Sequence, residues 1–266
     1  MKIAELCITN QCNFSCDYCI SDAAFIRKRP EKSWDFSGPC VEFAPWYEFV
    51  KRHLSGYIIQ ITGGEPLLVG DIHNFINDIV DLGNIVVVNT NGSIIQERLP
   101  YINPNVIFRI SYHPEQRSND KFVEHLSGLD KTKTIINYVI HPRHIENGTV
   151  EKNLEFLDSL GFIYEANGFE GNYNGKPYKF YLDYYNKYSS GLEKAEQLEM
   201  VVVQPHGAIF PCHGMQAMGK ASIGNIHTGR FDPSGVCKNS CSTPDGLLSV
   251  CPVQNPIARI LKYLRV

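Results

Sequence analysis

Cys12, Cys16 and Cys19 fall within eight residues, in Cys12-Asn-Phe-Ser-Cys16-Asp-Tyr-Cys19, directly after the short apolar segment Ile3–Thr9. No other stretch constrains the chain as strongly. Three thiolates can hold three irons of a [4Fe–4S] cube and leave the fourth iron without a protein ligand. An open coordination position separates a reactive metal site from a closed structural one. The competing reading is a zinc knuckle on Cys16-x2-Cys19. Zinc takes four nitrogen or sulfur ligands, and the next histidine along the chain is His53.

A second motif, Gly63-Gly64-Glu65-Pro66, follows the apolar run Tyr57–Thr62. Glycines let a backbone approach a ligand closely, and a carboxylate complements an ammonium group. By itself this tetrapeptide reads as an ordinary turn. Behind the cysteine triplet it gains meaning. With Tyr18 in the aromatic position before the third cysteine, the two motifs resemble the radical S-adenosylmethionine (SAM) superfamily over roughly residues 1–145. The resemblance implies a partial (β/α)6, TIM-like barrel with a [4Fe–4S] cluster on Cys12, Cys16 and Cys19. It also implies SAM held by Gly63, Gly64, Glu65 and Pro66, and an electron donor such as flavodoxin or ferredoxin. The implied reaction reduces the SAM sulfonium, releases methionine and forms a 5′-deoxyadenosyl radical that takes hydrogen from an unactivated C–H bond.

Composition narrows the setting. The 266-residue chain is 43% hydrophobic, enough for a proper core, and allows one large domain with a small appendage. A formal charge of −3 gives no general attraction to nucleic acid or anionic membrane. No run of about 18 apolar residues suggests a membrane span. The amino terminus, Met1-Lys2-Ile3-Ala4-Glu5, lacks the long apolar stretch of a secretion signal. The nine cysteines are odd in number and spaced as for metals, which fits a reducing cytoplasm better than a disulfide framework.

Strands are expected at Ile3–Thr9, Tyr57–Thr62, Ile85–Asn89, Val106–Tyr112 and Thr134–His141, with a weaker sixth near Phe162–Ala166. Helices are expected at Ala44–Leu54, Asp71–Leu82 and Val150–Leu160, with Asp71 as an N-cap and Gly83 and Gly161 as stops. This alternation of strands and longer segments argues for βα units and a parallel sheet. A parallel sheet covered on both faces reads as continuous apolar runs, and these strands do not. Phe108, Ile110 and Tyr112 alternate with Arg109, Ser111 and His113; Ala4, Leu6 and Ile8 alternate with Glu5, Cys7 and Thr9. The period of two sends the sets to opposite faces, so the inner face is polar and suits a barrel that holds a charged ligand.

Active sites of such barrels lie at the carboxyl ends of the strands, where Cys12 and Gly63 fall. Ser111 resembles the superfamily residue that bonds the SAM ribose, or is a solvated strand-end serine. Asn89 and Asn91 end the third strand and are expected to line the same cavity, although Asn91-Gly92 is also a common turn. His113 and His141 each precede a proline, which pushes them to extended geometry at a strand end. They are expected to point inward as contacts to substrate or SAM, including proton transfer, against the plainer reading of hydrogen-bonded structural histidines.

Composition shifts after Met200, so the chain is divided into a barrel at 1–200 and an appendage at 201–266. The appendage carries Cys212, Cys237, Cys241 and Cys251, a full tetrahedral set for an iron–sulfur cluster or zinc. The Gly207…Pro211-Cys212 turn and Ser222–Ile226 resemble a Twitch or truncated SPASM domain, which implies a second, auxiliary [4Fe–4S] cluster. His213 is an alternative ligand. Cys40 is either a hydrogen-atom donor to a carbon radical or a surface thiol, and Cys7 a packed residue. The tyrosines of Asn172–Ser190 are expected to pack between barrel and appendage, and Arg27-Lys28-Arg29 to be a solvated loop. Appendages of this kind point to a peptide or protein substrate, modified by epimerisation, crosslinking or oxidation. The absence of a leader-peptide-binding segment before the first strand points instead to a small molecule such as a sugar, cyclitol or nucleoside. A non-enzymatic zinc-binding module is the remaining class.

Overall fold

The structure, a computed structural model, describes residues 2–16, 19, 41–169, 172–174, 176–177, 181–188, 199–212 and 221–236. Six parallel strands lie side by side in chain order: β1 (Lys2–Thr9), β2 (Ile58–Gly63), β3 (Ile85–Thr90), β4 (Ile107–Tyr112), β5 (Thr134–Ile140) and β6 (Ile163–Gly168). The helices between them are α1 (Phe43–His53), α2 (Ile72–Asp81), α3 (Ile95–Arg98), α4 (Asn119–Leu126), α5 (Pro142–Glu146) and α6 (Val150–Leu160). This α/β arrangement is an open, partial TIM-like barrel. The hairpin β7 (Asn172–Tyr173) and β8 (Lys176–Pro177) and helix α7 (Leu182–Tyr188) follow.

The sheet then continues on the far side of β1. Strand β9 (Glu199–Val203) runs parallel to β1, and β10 (Ala208–Phe210), β11 (Gly224–Asn225) and β12 (Arg230–Phe231) extend it antiparallel. The expected boundary at 200/201 therefore falls inside a strand, and β9 joins the two regions into one ten-stranded sheet.

All six expected strands form, with ends shifted by two residues at most. Gly161 ends α6 in the left-handed region at φ 67°, as a glycine stop should. Asp71 occupies the N-cap of α2 but its side chain makes no capping bond. Helix α4 lies outside the sequence expectation. Its buried stripe is only Phe122 and Leu126, one turn apart, and its start is set by Ser118, whose hydroxyl accepts from the Lys121 N–H. Tyr181 and, in α7, Tyr185 pack into the outer core, whereas Tyr178 and Phe180 lie outside the described residues. Among the described residues no helix is long and apolar enough to cross a membrane.

The barrel interior is layered by the strand period. On the outer face, Leu6, Ile61, Val88, Ile110 and Tyr138 pack under Trp46, Phe75 and Phe122. On the inner face, Ile3, Ile58, Val87, Ile107 and Ile135 form a separate apolar floor, with Ile163 against it. Two residues further along each strand the inner face turns polar: Glu5, Gln60, Asn89, Arg109, Asn137 and Glu165. Each strand thus gives the lumen one apolar and one polar residue, at positions i and i+2. The polar layer is tied together. Arg109 pairs with Glu165 and donates to Asn137 Oδ1 at 2.9 Å, which also accepts from Asn167 at 2.8 Å. Asn89 donates to Gln60 at 3.2 Å.

Removing one partner of a largely buried ion pair strands the other charge, whereas replacing both with apolar groups is often neutral. Arg109→Met should therefore lose about 3 kcal/mol of unfolding free energy, and the double variant Arg109→Met, Glu165→Leu should regain most of it. Urea denaturation of the three proteins checks this. A single variant as stable as the parent would show the pair to be dispensable.

Candidate active site at the carboxyl ends of the strands

The cysteine loop leaves β1 and is gripped from three sides. The first grip is the backbone of the second motif. The Gly64 N–H donates to Thr9 O and the Glu65 N–H to Gln11 O, both at 2.7 Å. The two chains run so close that a Cβ on Gly64 would sit 2.2 Å from Gln11 O, and one on Gly63 (φ +151°) 2.4 Å from Thr9 O. The glycines are thus required by the approach of the cysteine loop itself, a role that the expectation of ligand contact did not include.

Glu65 is fully buried and both oxygens of its carboxylate are bonded by the protein. Oε1 accepts from the Leu67 N–H (3.0 Å) and the Thr90 hydroxyl (2.6 Å), and Oε2 accepts from the Asn91 N–H (2.6 Å). Burial pushes this carboxyl up to about 7, while those hydrogen bonds and the Arg117 guanidinium pull it back. The side chain ties the end of β2 to the end of β3, and Pro66 opens the short 3-10 turn Pro66–Leu68 that it caps.

The second grip comes from the loop after β3. Asn91 donates to Asn13 Oδ1 (2.8 Å) and stands 3.8 Å from Cys12 Sγ, while Asn13 donates to the Ser93 hydroxyl (2.8 Å). Asn91 thus faces the cysteine loop. The third grip comes from the turn after β4. The Ser15 N–H donates to Gln116 Oε1 at 3.2 Å, the Arg117 guanidinium lies 5.7 Å over Phe14, and His113 Nδ1 is 3.6 Å from Cys16 Sγ. Arg117 is itself buried, stacked 4.4 Å over Phe122 and bonded to Ser111 O (3.0 Å) and His125 Nδ1 (3.0 Å). Asn13, Ser93, Gln116 and Arg117 were not singled out in the sequence, because each is an ordinary loop residue until the fold brings three strand ends together.

The donor set fits an iron–sulfur cluster. Three soft thiols share one loop, and N–H groups of Phe14 (3.4 Å) and Asn91 already face the Cys12 sulfur. Burial pushes the free Cys12 thiol up to about 11, with Glu65 and Cys19 adding to the rise, so a cation is what would hold it as thiolate at neutral pH. The inner face fits a polar ligand as well. The buried Asn89 Oδ1 has no hydrogen-bond partner, and Ser111 lies on the same face beside Asn137 in register.

The two expected histidines part ways. Burial holds His113 down to about 4, so its ring is neutral at pH 7 and faces Cys16. His141 is buried at the N-cap of α5, where Nδ1 accepts from the Arg143 N–H (3.2 Å) and the ring meets Phe169 and Tyr173 edge-on. Cys7 packs as expected, beside Met200, Val202 and the buried Cys212 just past β10, and burial raises its thiol well above the usual range. Tyr18, Cys40, Cys237, Cys241, Cys251, His213 and Arg27-Lys28-Arg29 lie outside the described residues.

Glu65 gives a sharp test of this geometry. In Glu65→Gln the amide nitrogen must face either the Leu67 or the Asn91 N–H, neither of which can accept. The isosteric change should cost about 1–3 kcal/mol in urea denaturation. A cost near zero would mean that the carboxylate is not bonded as described.

No family model matches the chain. In sequence it is 25% identical over 187 residues to a GTP 3′,8-cyclase of Aliarcobacter butzleri, a match over 64% of this chain and 55% of that one. It thus spans about half the length of that curated relative. In fold it is similar to Streptococcus suis SuiB bound to S-adenosylmethionine, with a TM-score of 0.58 at 13% identity over 90% of this chain and 72% of that one. The structure of SuiB bound to its precursor peptide SuiA gives 0.57 at 14% identity, over 93% and 70%. A cysteine loop seated on the strand ends of an open parallel barrel, in a chain with these likenesses, supports the resemblance to the radical SAM superfamily.

Proposed function

We propose that this protein is a radical SAM enzyme that removes a hydrogen atom from a substrate C–H bond. The observation that carries the reading is the seating of the cysteine loop, held against the ends of β2, β3 and β4 by Gly64, Asn91 and Gln116. Cys12, Cys16 and Cys19 would hold the [4Fe–4S] cluster. The peptide groups of Gly63–Glu65, with Asn89 and Ser111, would hold SAM. When bound, the pair supplies reductive cleavage of SAM and the carbon-centred radical that abstracts hydrogen. The protein's own part is positional. The apolar floor closes the barrel from below, and the Arg109, Asn137 and Glu165 layer presents fixed hydrogen-bonding groups above it.

For the substrate, the leading reading is a peptide or protein. It is supported by a fold likeness that covers 93% of the chain, reaches past the barrel strands and includes a neighbour solved with a precursor peptide. The second reading, a small molecule, is favoured by the sequence relative named for its action on GTP. The auxiliary cluster on Cys212, Cys237, Cys241 and Cys251, in a unit over 201–266, belongs to this proposal as well. Support for it is the full set of four thiols and the buried position of Cys212 beside β9.

Anaerobic reconstitution with iron and sulfide should give about eight irons per chain for two cubes, halved by Ala at Cys212, Cys237, Cys241 and Cys251. Ala at Cys12, Cys16 and Cys19 should abolish release of methionine and 5′-deoxyadenosine from SAM under dithionite. Zinc without iron, or intact SAM with the parent protein, would overturn the proposal. A short peptide gene beside this one would favour the first substrate reading, and nucleoside or sugar biosynthesis genes the second.

A further inference from the structure

Cys16 is met by a side chain from another strand, and a chain of buried groups decides how that side chain presents itself. His113 stands just past β4. Its ring is held edge-on against Phe14, with centroids 5.8 Å apart and planes at 82°, and the next turn is pinned to the cysteine loop through Gln116 and Ser15. So held, Nδ1 lies 3.6 Å from Cys16 Sγ, a hydrogen-bonding distance for sulfur.

The tautomer follows from groups further in. The Asn153 amide donates to the Tyr138 oxygen (2.9 Å), so the Tyr138 hydroxyl is free to donate to His144 Nδ1 (2.9 Å). That places the His144 proton on Nε2, 3.5 Å from Glu115 Oε2. The other Glu115 oxygen lies 3.9 Å from His113 Nδ1. His113 Nδ1 has the Cys16 sulfur and a Glu115 carboxylate oxygen beside it, two groups that favour a proton on Nδ1. The ligand atoms of Cys16, His113 and Glu115 all lie within 4.8 Å of one another, so the same trio is also the arrangement a direct metal–imidazole bond would need.

We infer that His113 is a positioning residue for the cluster: its Nδ1–H donates a hydrogen bond to the Cys16 thiolate, and Glu115, set by His144 and Tyr138, holds the ring in that tautomer. The inference rests on the cluster proposed above. A hydrogen bond to a ligand sulfur draws charge from the cluster, favours its reduced form and raises its potential. Cys12 receives its donors from Phe14 and Asn91, and His113 serves Cys16 in the same way. His113 would then govern how readily the cluster accepts an electron, without touching substrate or moving a proton to it.

The test uses the full, reconstituted chain. Midpoint potentials by EPR-monitored titration are compared for the parent, His113→Asn, which keeps an amide N–H near the Nδ1 position, and His113→Phe, which keeps the ring contact without the donor. Iron per chain should stay the same, the Phe variant should shift to more negative potential, and the Asn variant should stay near the parent. An unshifted potential in the Phe variant with unchanged iron overturns the inference and leaves the cluster standing. A parent protein without any cubane signal removes the cluster and the inference together. Should the Phe variant fail to fold, the parent labelled with ¹⁵N-histidine decides the matter: a weak ¹⁵N coupling to the reduced cluster is expected. No coupling, or one large enough for a direct iron–nitrogen bond, overturns it.

Discussion

The close approach of two backbones, Gly63-Gly64 against Thr9–Gln11, is the contact on which the rest of the site depends. It leaves no room for a side chain on either glycine. It also fixes where the chain turns after β1, and therefore where the first cysteine begins. Glu65 follows at once and carries the constraint sideways, because its two oxygens bind the ends of β2 and β3 in one buried knot. A carboxylate so committed acts as a strut. The polypeptide that could have been a floppy loop of thiols is instead strung between three strand ends.

The second constraint is the stacking of layers inside the barrel. A filled barrel core would leave no place for a cofactor or substrate, and a wholly polar lumen would lose the burial that holds the strands together. This chain divides the task along each strand, with isoleucine or valine at the bottom and a polar or charged residue one step higher. The bonded Arg109, Asn137 and Glu165 group is the part of that layer with the least freedom to rearrange. Such a preorganised polar layer above an apolar floor suits chemistry that needs a reactive species kept away from bulk water.

Much of the architecture was legible before any coordinates. The strand period separated inner from outer residues correctly in β1 and β4, since an alternation of Arg, Ser and His with Phe, Ile and Tyr has only one sensible orientation. Helix α4 was not legible, because two buried residues do not make a stripe, and neither were the short strands β10–β12, whose few residues carry no period. The roles within the motifs were legible only in part. The glycines of the second motif also admit the neighbouring loop, a close approach that the motif alone does not record. The bonds of Asn91 to the cysteine loop, at Cys12 and Asn13, are likewise recorded by no local pattern.

What the sequence determined by itself was the chemistry available: three thiols at a fixed spacing, a glycine pair before a carboxylate, and strands whose alternation demands a polar interior. These are local patterns, and local patterns survive without knowledge of what lies across the sheet. Tertiary structure alone decided the partners. His113 to Cys16, Gln116 to Ser15 and Arg117 to Phe14 join residues about a hundred positions apart. They meet because parallel strands in chain order bring all their carboxyl ends to one rim, and no periodicity along the chain records which loops will face each other there.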